Sequence, residues 1–128
     1  MRLLLDSHAF IWWVNGNERL RPRARRLIAD EANAVFVSAA SAWEIATKYY
    51  RGRLEEASSI APDIPGAIAR QGFEELPVTV ADGQRAGALP GPLRDPFDRM
   101  LIAQAVSRDL LLVSNEALFD QYGVHRLW

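Results

Sequence analysis

The chain contains no cysteine, which excludes disulfide staples, thiol catalysis and thiolate metal sites together. Its two histidines, His8 and His125, are a poor basis for a zinc site. Any metal would therefore be held by oxygen, the donor type that suits Mg²⁺ or Mn²⁺. No apolar run approaches the ~20 residues of a membrane-spanning helix, and the N-terminus reads as a strand instead of a signal peptide. Lysine is nearly absent, with Lys48 the only one. Charge of one sign is not in excess either: the formal net charge is -1. The chain as a whole carries no sign of nucleic-acid binding, although a local concentration of acid would mask one.

The composition that remains, 128 residues with 49% hydrophobic and 24% charged, is that of an ordinary soluble globular protein and predicts one domain over residues 1–128. Met1 to Leu5 and Ala34 to Val37 are short apolar runs of the kind buried on both faces of a sheet. Leu110 to Val113 is a third such run, Phe73 to Val78 allows a short strand, and Val124 to Trp128 a final edge strand. Between them lie helical patterns. Ser7 looks like the cap of a first helix through Val14, stopped by Asn15-Gly16-Asn17. Arg21-Pro22 starts a second helix running to about Ala32, and Ser38 caps a third from Ala39 to Tyr50, closed by Gly52. Arg53 to Ser59 reads as a loop, and Pro62 and Pro65 introduce a helix ending near Gly72. Thr79 caps a small helix, and Ala117 to Tyr122 forms a last one stopped by Gly123. Strands alternating with helices imply right-handed βαβ units around a parallel sheet.

The most informative stretch is Leu93 to Glu116, LRDPFDRMLIAQAVSRDLLLVSNE. Asp95 is placed to cap a helix whose first position is Pro96. Asp98, Leu101, Ile102 and Ala105 fall on one stripe at helical spacing, so an acid heads the stripe that faces the core. A lone buried carboxylate costs several kcal/mol or protonates. Something positive should therefore sit beside Asp98, and Arg99, about 100° around the helix, is not on that stripe.

Strand ends place Asp6, Ser38 and Ser114 at one rim of such a sheet, with Glu44, Asp98 and Glu116 on or next to the neighbouring helices. Carboxylates gathered there raise one another's pKa unless a divalent cation lies between them. Ordinary alternatives exist for each. Asp6 reads equally as a turn or capping aspartate. Glu44 reads as a capping-box partner of Ser41 or as an i,i+4 partner of Lys48. Arg19, Arg21, Arg23, Arg25 and Arg26 form either a solvated helix face or a patch for phosphates, and Arg51 and Arg53 are further candidates for phosphate contact. A receiver-type phosphotransfer protein would want adjacent acids after the first strand and a late lysine, and neither is present. A haloacid-dehalogenase-type hydrolase would want Asp-x-Asp there, where position 8 is histidine.

The segments LLLDSHAFIWW, VSAASAWEIATKYYRGRL, ELPVT, LRDPFDRMLIAQA and LLLVSNEALFDQYGV, with the terminal Trp128, occur in the order found in the PIN-domain ribonuclease toxins of the VapC family, which the whole chain resembles. The resemblance implies a PIN-like α/β fold: a central, mostly parallel sheet of four to five strands with helices on both faces. It further implies the toxin half of a type II toxin–antitoxin pair, a cytoplasmic Mg²⁺- or Mn²⁺-dependent endoribonuclease. Its partners would be an RNA substrate, a VapB-type antitoxin and a second copy of the chain in a homodimer. Asp6, Glu44 and Asp98 match the first three metal-site acids of the family. Glu116 stands where aspartate is more common and, one methylene longer, would reach an ion through water. Asp95 is mainly a cap next to the site, and Leu93 lies where relatives often carry histidine. Ser7, in place of a common threonine, and Ser114 are the hydroxyl neighbours. The competing reading is a catalytically silent PIN-like module that binds RNA or protein without turnover.

Overall fold

The computed structural model describes residues 1–128. Five strands, β1 (Arg2–Leu5), β2 (Ala34–Ser38), β3 (Glu74–Leu76), β4 (Leu111–Val113) and β5 (Arg126–Leu127), form one sheet in the order β3-β2-β1-β4-β5, and every neighbouring pair is parallel. The helices are α1 (Ser7–Asn15), α2 (Pro22–Ala29), α3 (Ala39–Tyr50), α4 (Ile64–Arg70), α5 (Val80–Ala88) and α6 (Pro96–Arg108). The expected α/β architecture is thus realised, with all of the sheet parallel. No helix is long and apolar enough to cross a membrane.

The apolar runs become strands because both faces of the sheet are covered, which is the condition parallel strands require. Successive side chains of a strand point to opposite faces, and β1 divides its leucines accordingly. Leu3 and Leu5 join a core with Phe10, Leu20, Ile28, Val37 and Ile64. Leu4 turns the other way, onto Leu101, Ile102, Leu112 and Phe119.

The chain steps from central β1 to β2 and then β3 on one side, after which α6 carries it across to β4 on the other. That reversal opens a crevice at the C-terminal ends of β1 and β4, the place where open α/β sheets bind ligands.

Some local expectations shift. The second helix stops at Ala29, because Asp30 accepts a hydrogen bond from the Ala32 amide and its carbonyl accepts one from Asn33. An aspartate that satisfies nearby backbone in this way offers the chain an alternative to helix. The expected loop at Arg53 to Ser59 contains a 3-10 turn, Glu55–Ser59, that buries Ala57. The last helix, Ala117–Tyr122, is 3-10 and not α, ending at Gly123 with φ 76°. The helix expected from Pro62 begins as a 3-10 turn, Ala61–Asp63, before α4. Arg99, off the buried stripe, donates to the carbonyls of Leu93 (2.7 Å), Ala86 (3.0 Å) and Leu89. It ties the segment entering α6 to the end of α5.

Candidate active site

Asp6 follows the last residue of β1 and is itself the cap of α1, accepting from the Ala9 amide at 2.8 Å. Ser7, expected to be that cap, is instead the first helical residue. Asp6 already holds the extended conformation a cap needs, with φ -75° and ψ 174°, which leaves the Ser7 hydroxyl free. That hydroxyl is buried and donates to Glu44 Oε1 at 2.5 Å. Burial raises the pKa of the Asp6 carboxyl above its ordinary value. The Ser114 hydroxyl, the Ala9 amide and the nearby His8 pull it back, while Glu44 adds to the rise.

Ser38 ends β2 and caps α3, accepting from the Ala40 amide at 3.0 Å. The first turn of α3 is thereby satisfied without Ser41, whose hydroxyl is buried with no partner. Glu44, on the next turn, is 7% exposed, and both its oxygens are engaged: Oε1 by Ser7, Oε2 by the Lys48 ammonium at 2.5 Å. The i,i+4 ion pair is therefore formed and the Ser41 capping box is not. A 7% exposed carboxylate needs such partners, because burying it alone would cost several kcal/mol.

Asp95 caps α6, accepting from the amides of Phe97 (2.9 Å) and Asp98 (3.1 Å). The side chain of Asp98 is half-buried beside it. Burial pushes its carboxyl up to about 7, helped by the like charges of Asp95, Glu44 and Asp6 and opposed by Lys48. The cation expected beside Asp98 does not pair with it: Lys48 on α3 is bonded to Glu44 and reaches Asp98 only through its charge, the smallest of the influences on that carboxyl. Burial works against the Lys48 ammonium, but its bond to Glu44 and the charges of Glu44, Asp95 and Asp98 outweigh that and raise its pKa. Three acids from α3 and the start of α6, Glu44, Asp95 and Asp98, therefore share one ammonium.

Ser114, at the end of β4, is fully buried. Its hydroxyl accepts from the Glu116 amide at 3.0 Å and lies near enough to Asp6 to lower that carboxyl's pKa. The Glu116 side chain does not join the group: it is exposed and accepts from the Leu118 amide at 3.2 Å, capping the last 3-10 helix. Its charge acts on Arg126, which is paired with Asp120. No three acidic or histidine side chains anywhere in the chain stand close enough together to hold an ion. A cage of four carboxylates is therefore not formed by the side chains as they stand.

The basic candidates separate. Arg25 lies over the Trp13 ring and donates to the Asn17 carbonyl at 2.9 Å. Arg23 and Arg26 are exposed on α2. Arg19 and Arg21 instead line a pocket with Trp12, Asn115 and Trp128. Arg51 and Arg53 follow the far end of α3, roughly 10 Å of helix beyond Glu44. His8, which spacing marks only as a poor zinc ligand, acts on Asp6 through its charge, and its Nε2 lies 3.6 Å from Glu56. Spacing misses the buried Asp82–Arg108 pair altogether. Neither has a local signal, since the partners come from distant elements.

The chemistry available is that of pKa-perturbed carboxylates opening on a sheet crevice, a combination that favours cation binding and acid–base work. A test of fit to a divalent ion turns on donor type and number. Mg²⁺ retains several waters and takes only one or two carboxylates directly. Asp6 and Asp98 can supply those two, each held up in pKa by burial. Glu44, committed to Ser7 and Lys48, is suited to hydrogen-bonding an ion's water. The donor set fits.

The PIN domain family model matches residues 3–124. No functionally curated protein sequence matches the chain. Among solved structures, the chain resembles VapBC2 from Rickettsia felis, bound to a fragment of its promoter DNA, with TM-score 0.70 and 15% identity, over 99% of this chain and 98% of that one. It is also similar to VapC20 of Mycobacterium tuberculosis, described as a sarcin-ricin loop cleaving toxin, with TM-score 0.66 and 15% identity, over 95% of each chain. A third likeness is to FitAB bound to a DNA fragment, with TM-score 0.56 and 17% identity, over 99% of this chain and 94% of that one. At such identities these likenesses speak to the fold alone. The family model spans nearly the whole chain, and on that ground the chain belongs to the PIN-domain family.

Proposed function

We propose that residues 1–128 form a single PIN domain acting as the toxin half of a type II toxin–antitoxin pair, a divalent-metal-dependent endoribonuclease. The observation that carries this reading is the site itself: Asp6 and Asp98, both raised in pKa by burial, lie close enough to Glu44 and to each other for their charges to interact, with Lys48 as the counter-charge of Glu44 and Asp98 and His8 that of Asp6. Asp6 and Asp98 would hold Mg²⁺ or Mn²⁺ directly, with Glu44 acting through water. When bound, the ion supplies a water acidified for attack and a charge that stabilises the phosphodiester oxygens. The Ala9 amide keeps the Asp6 carboxylate oriented. Ser7 and Lys48 do the same for Glu44, so its oxygens are aimed before substrate arrives. Glu116 would take part only after leaving the Leu118 amide, which makes it the weakest candidate of the four acids.

Similar structures include VapBC2 on its promoter DNA and the toxin VapC20, and this likeness favours a VapB-type antitoxin as partner here. An apolar groove of about 270 Å³, lined by Trp43, Val78, Phe97 and Met100, runs beside the acids. Trp43 is 67% exposed there, with its ring set edge-on to Phe97 at 5.1 Å. Such a surface suits burial against protein, and we expect the isolated chain to be a homodimer. Light scattering at micromolar concentration checks it: a monomer mass would remove the dimer.

The enzymatic reading is tested with total RNA incubated in Mn²⁺ or EDTA. Discrete cleavage in Mn²⁺, abolished by EDTA, is the expected outcome. Undigested RNA in both arms, with RNA binding retained, would favour the silent binding module instead.

A further inference from the structure

Arg19 and Arg21 flank Leu20, which is 1% exposed. Arg19 lies exposed in the turn before α2, and Arg21 is the exposed residue that precedes the helix. With Leu20 inward, both guanidiniums face out, and neither has an acidic partner within ion-pairing distance. They form one wall of a pocket of about 420 Å³ whose other walls include Trp12, Trp128 and Asn115. Arg19 lies over the Trp12 ring at 5.9 Å, and the Trp12 and Trp128 rings are 5.7 Å apart. Glu18 is the one acid in the lining, which leaves it net positive.

Two links join this pocket to the acidic crevice. Asn115 is the residue after Ser114, whose hydroxyl lies near Asp6. Trp12 also packs against His8 at 5.3 Å between centroids, and the charge of His8 bears on Asp6. The acids and the arginines thus flank the same end of β1 and β4.

We infer that the pocket between Arg19, Arg21, Trp12 and Trp128 is a binding subsite for one nucleotide of single-stranded RNA next to the phosphodiester at Asp6 and Asp98. Guanidiniums bind phosphate oxygens through charge-assisted bonds, and the partly exposed Trp128 indole can stack on a base whatever its sequence, with buried Trp12 as the floor beneath it. The volume lies within the range of small-molecule sites. The pairing of unsatisfied cations with aromatic walls is the chemistry that tracks a single strand, and a solvated helix face lacks the second half of it. Arg23 and Arg26 carry the same charge but do not line the pocket. The subsite deepens the ribonuclease reading and rests on it.

The experiment measures anisotropy of a short fluorescein-labelled oligouridylate on the full chain carrying Asp98→Asn, in Mg²⁺, across a salt series. Arg19→Gln with Arg21→Gln should raise Kd roughly tenfold and flatten the salt dependence by about 0.7 per lost phosphate contact. It should also diminish the quenching of tryptophan fluorescence by the RNA. Arg23→Gln with Arg26→Gln removes the same charge and should change Kd less than about twofold. An unchanged Kd in the first pair, or an equal loss in the second, overturns the subsite. If the chain without either pair cleaves RNA in Mn²⁺ while the subsite fails this test, the ribonuclease reading stands alone. If it neither cleaves nor binds RNA, both fall.

Discussion

Asp98→Asn is expected to abolish RNA cleavage, with a fall of at least about a thousandfold, while the protein remains folded. A direct carboxylate to a catalytic ion supports several kcal/mol of transition-state charge stabilisation, and about 4 kcal/mol corresponds to that factor. Asparagine keeps the shape and removes the charge. Stability should move the other way. The folded-state pKa of Asp98 is raised to about 7 from 3.8, by burial and then by Asp95, Glu44 and Asp6. An acid whose pKa is raised on folding contributes stability at low pH that is lost as pH climbs from about 4 through 7, because the folded state holds the proton longer. In EDTA, urea denaturation should therefore show the parent chain weakening across that window and Asp98→Asn weakening less. Mn²⁺ should stabilise the parent more at pH 8 than at pH 5, and Asp98→Asn little at either. Undiminished cleavage by folded Asp98→Asn would remove the metal mechanism. A loss of activity accompanied by loss of fold would assign Asp98 a structural role instead.

Arg108→Met should cost about 3 kcal/mol of stability, the largest loss expected from any single surface-reaching residue outside the site. Asp82 is fully buried, and Arg108 meets it with two parallel bonds, Nη1 to Oδ1 and Nη2 to Oδ2, each 2.9 Å. Asp82 Oδ2 also accepts from the Thr79 amide at 3.0 Å and from Gln104 Nε2 at 3.1 Å. These partners, Arg108 above all, hold the Asp82 carboxyl well below the usual carboxylate range. Removing one member of a buried pair strands the other, typically at 3–5 kcal/mol. Arg108 is 26% exposed, so water replaces part of what is lost and the lower figure applies. Arg85 reaches Asp82 at 4.0 Å with its side chain 57% exposed, so Arg85→Met should cost under about 1 kcal/mol. A pKa depressed on folding gives stability that is full above about pH 4 and is lost progressively as pH falls from there through the far lower folded-state value, so at pH 3 the difference between the parent chain and Arg108→Met should be narrowed but not erased. Urea midpoints at pH 7 and pH 3 measure both effects. Equal stability of Arg108→Met and Arg85→Met at pH 7 would show that the pair is not needed. RNA cleavage per folded molecule should be untouched, because the pair joins α5 to α6 away from the acids.

The sequence by itself carried the parts that depend on near neighbours along the chain. The caps at Ser38, Thr79 and Asp95 are local hydrogen bonds between a side chain and an amide two or three residues on, and the flanking residues alone determine them. The Glu44–Lys48 pair is likewise one turn of helix. Alternating apolar strands and helices were enough for a parallel α/β sheet, though the cation expected beside Asp98 is bonded to Glu44 instead. Even here one assignment turned on conformation: Asp6, not Ser7, took the extended cap position.

Tertiary structure decided the rest, because groups far apart in the chain meet only through strand order. The crossing from β3 to β4 around central β1 is what sets Asp6 beside Ser114 and α6 beside α3. It made Lys48 the common counter-charge of Glu44, Asp95 and Asp98. The Asp82–Arg108 pair spans 26 residues and left no periodic trace. Glu116 is expected among the acids, yet its carboxylate accepts from the Leu118 amide as a local cap, away from them. The arginine run was divided by packing, with Arg25 laid on Trp13, and Arg19, laid on Trp12, lining a pocket with Arg21. Spacing can state which residues share a helix face, but only the closed sheet settles which faces meet.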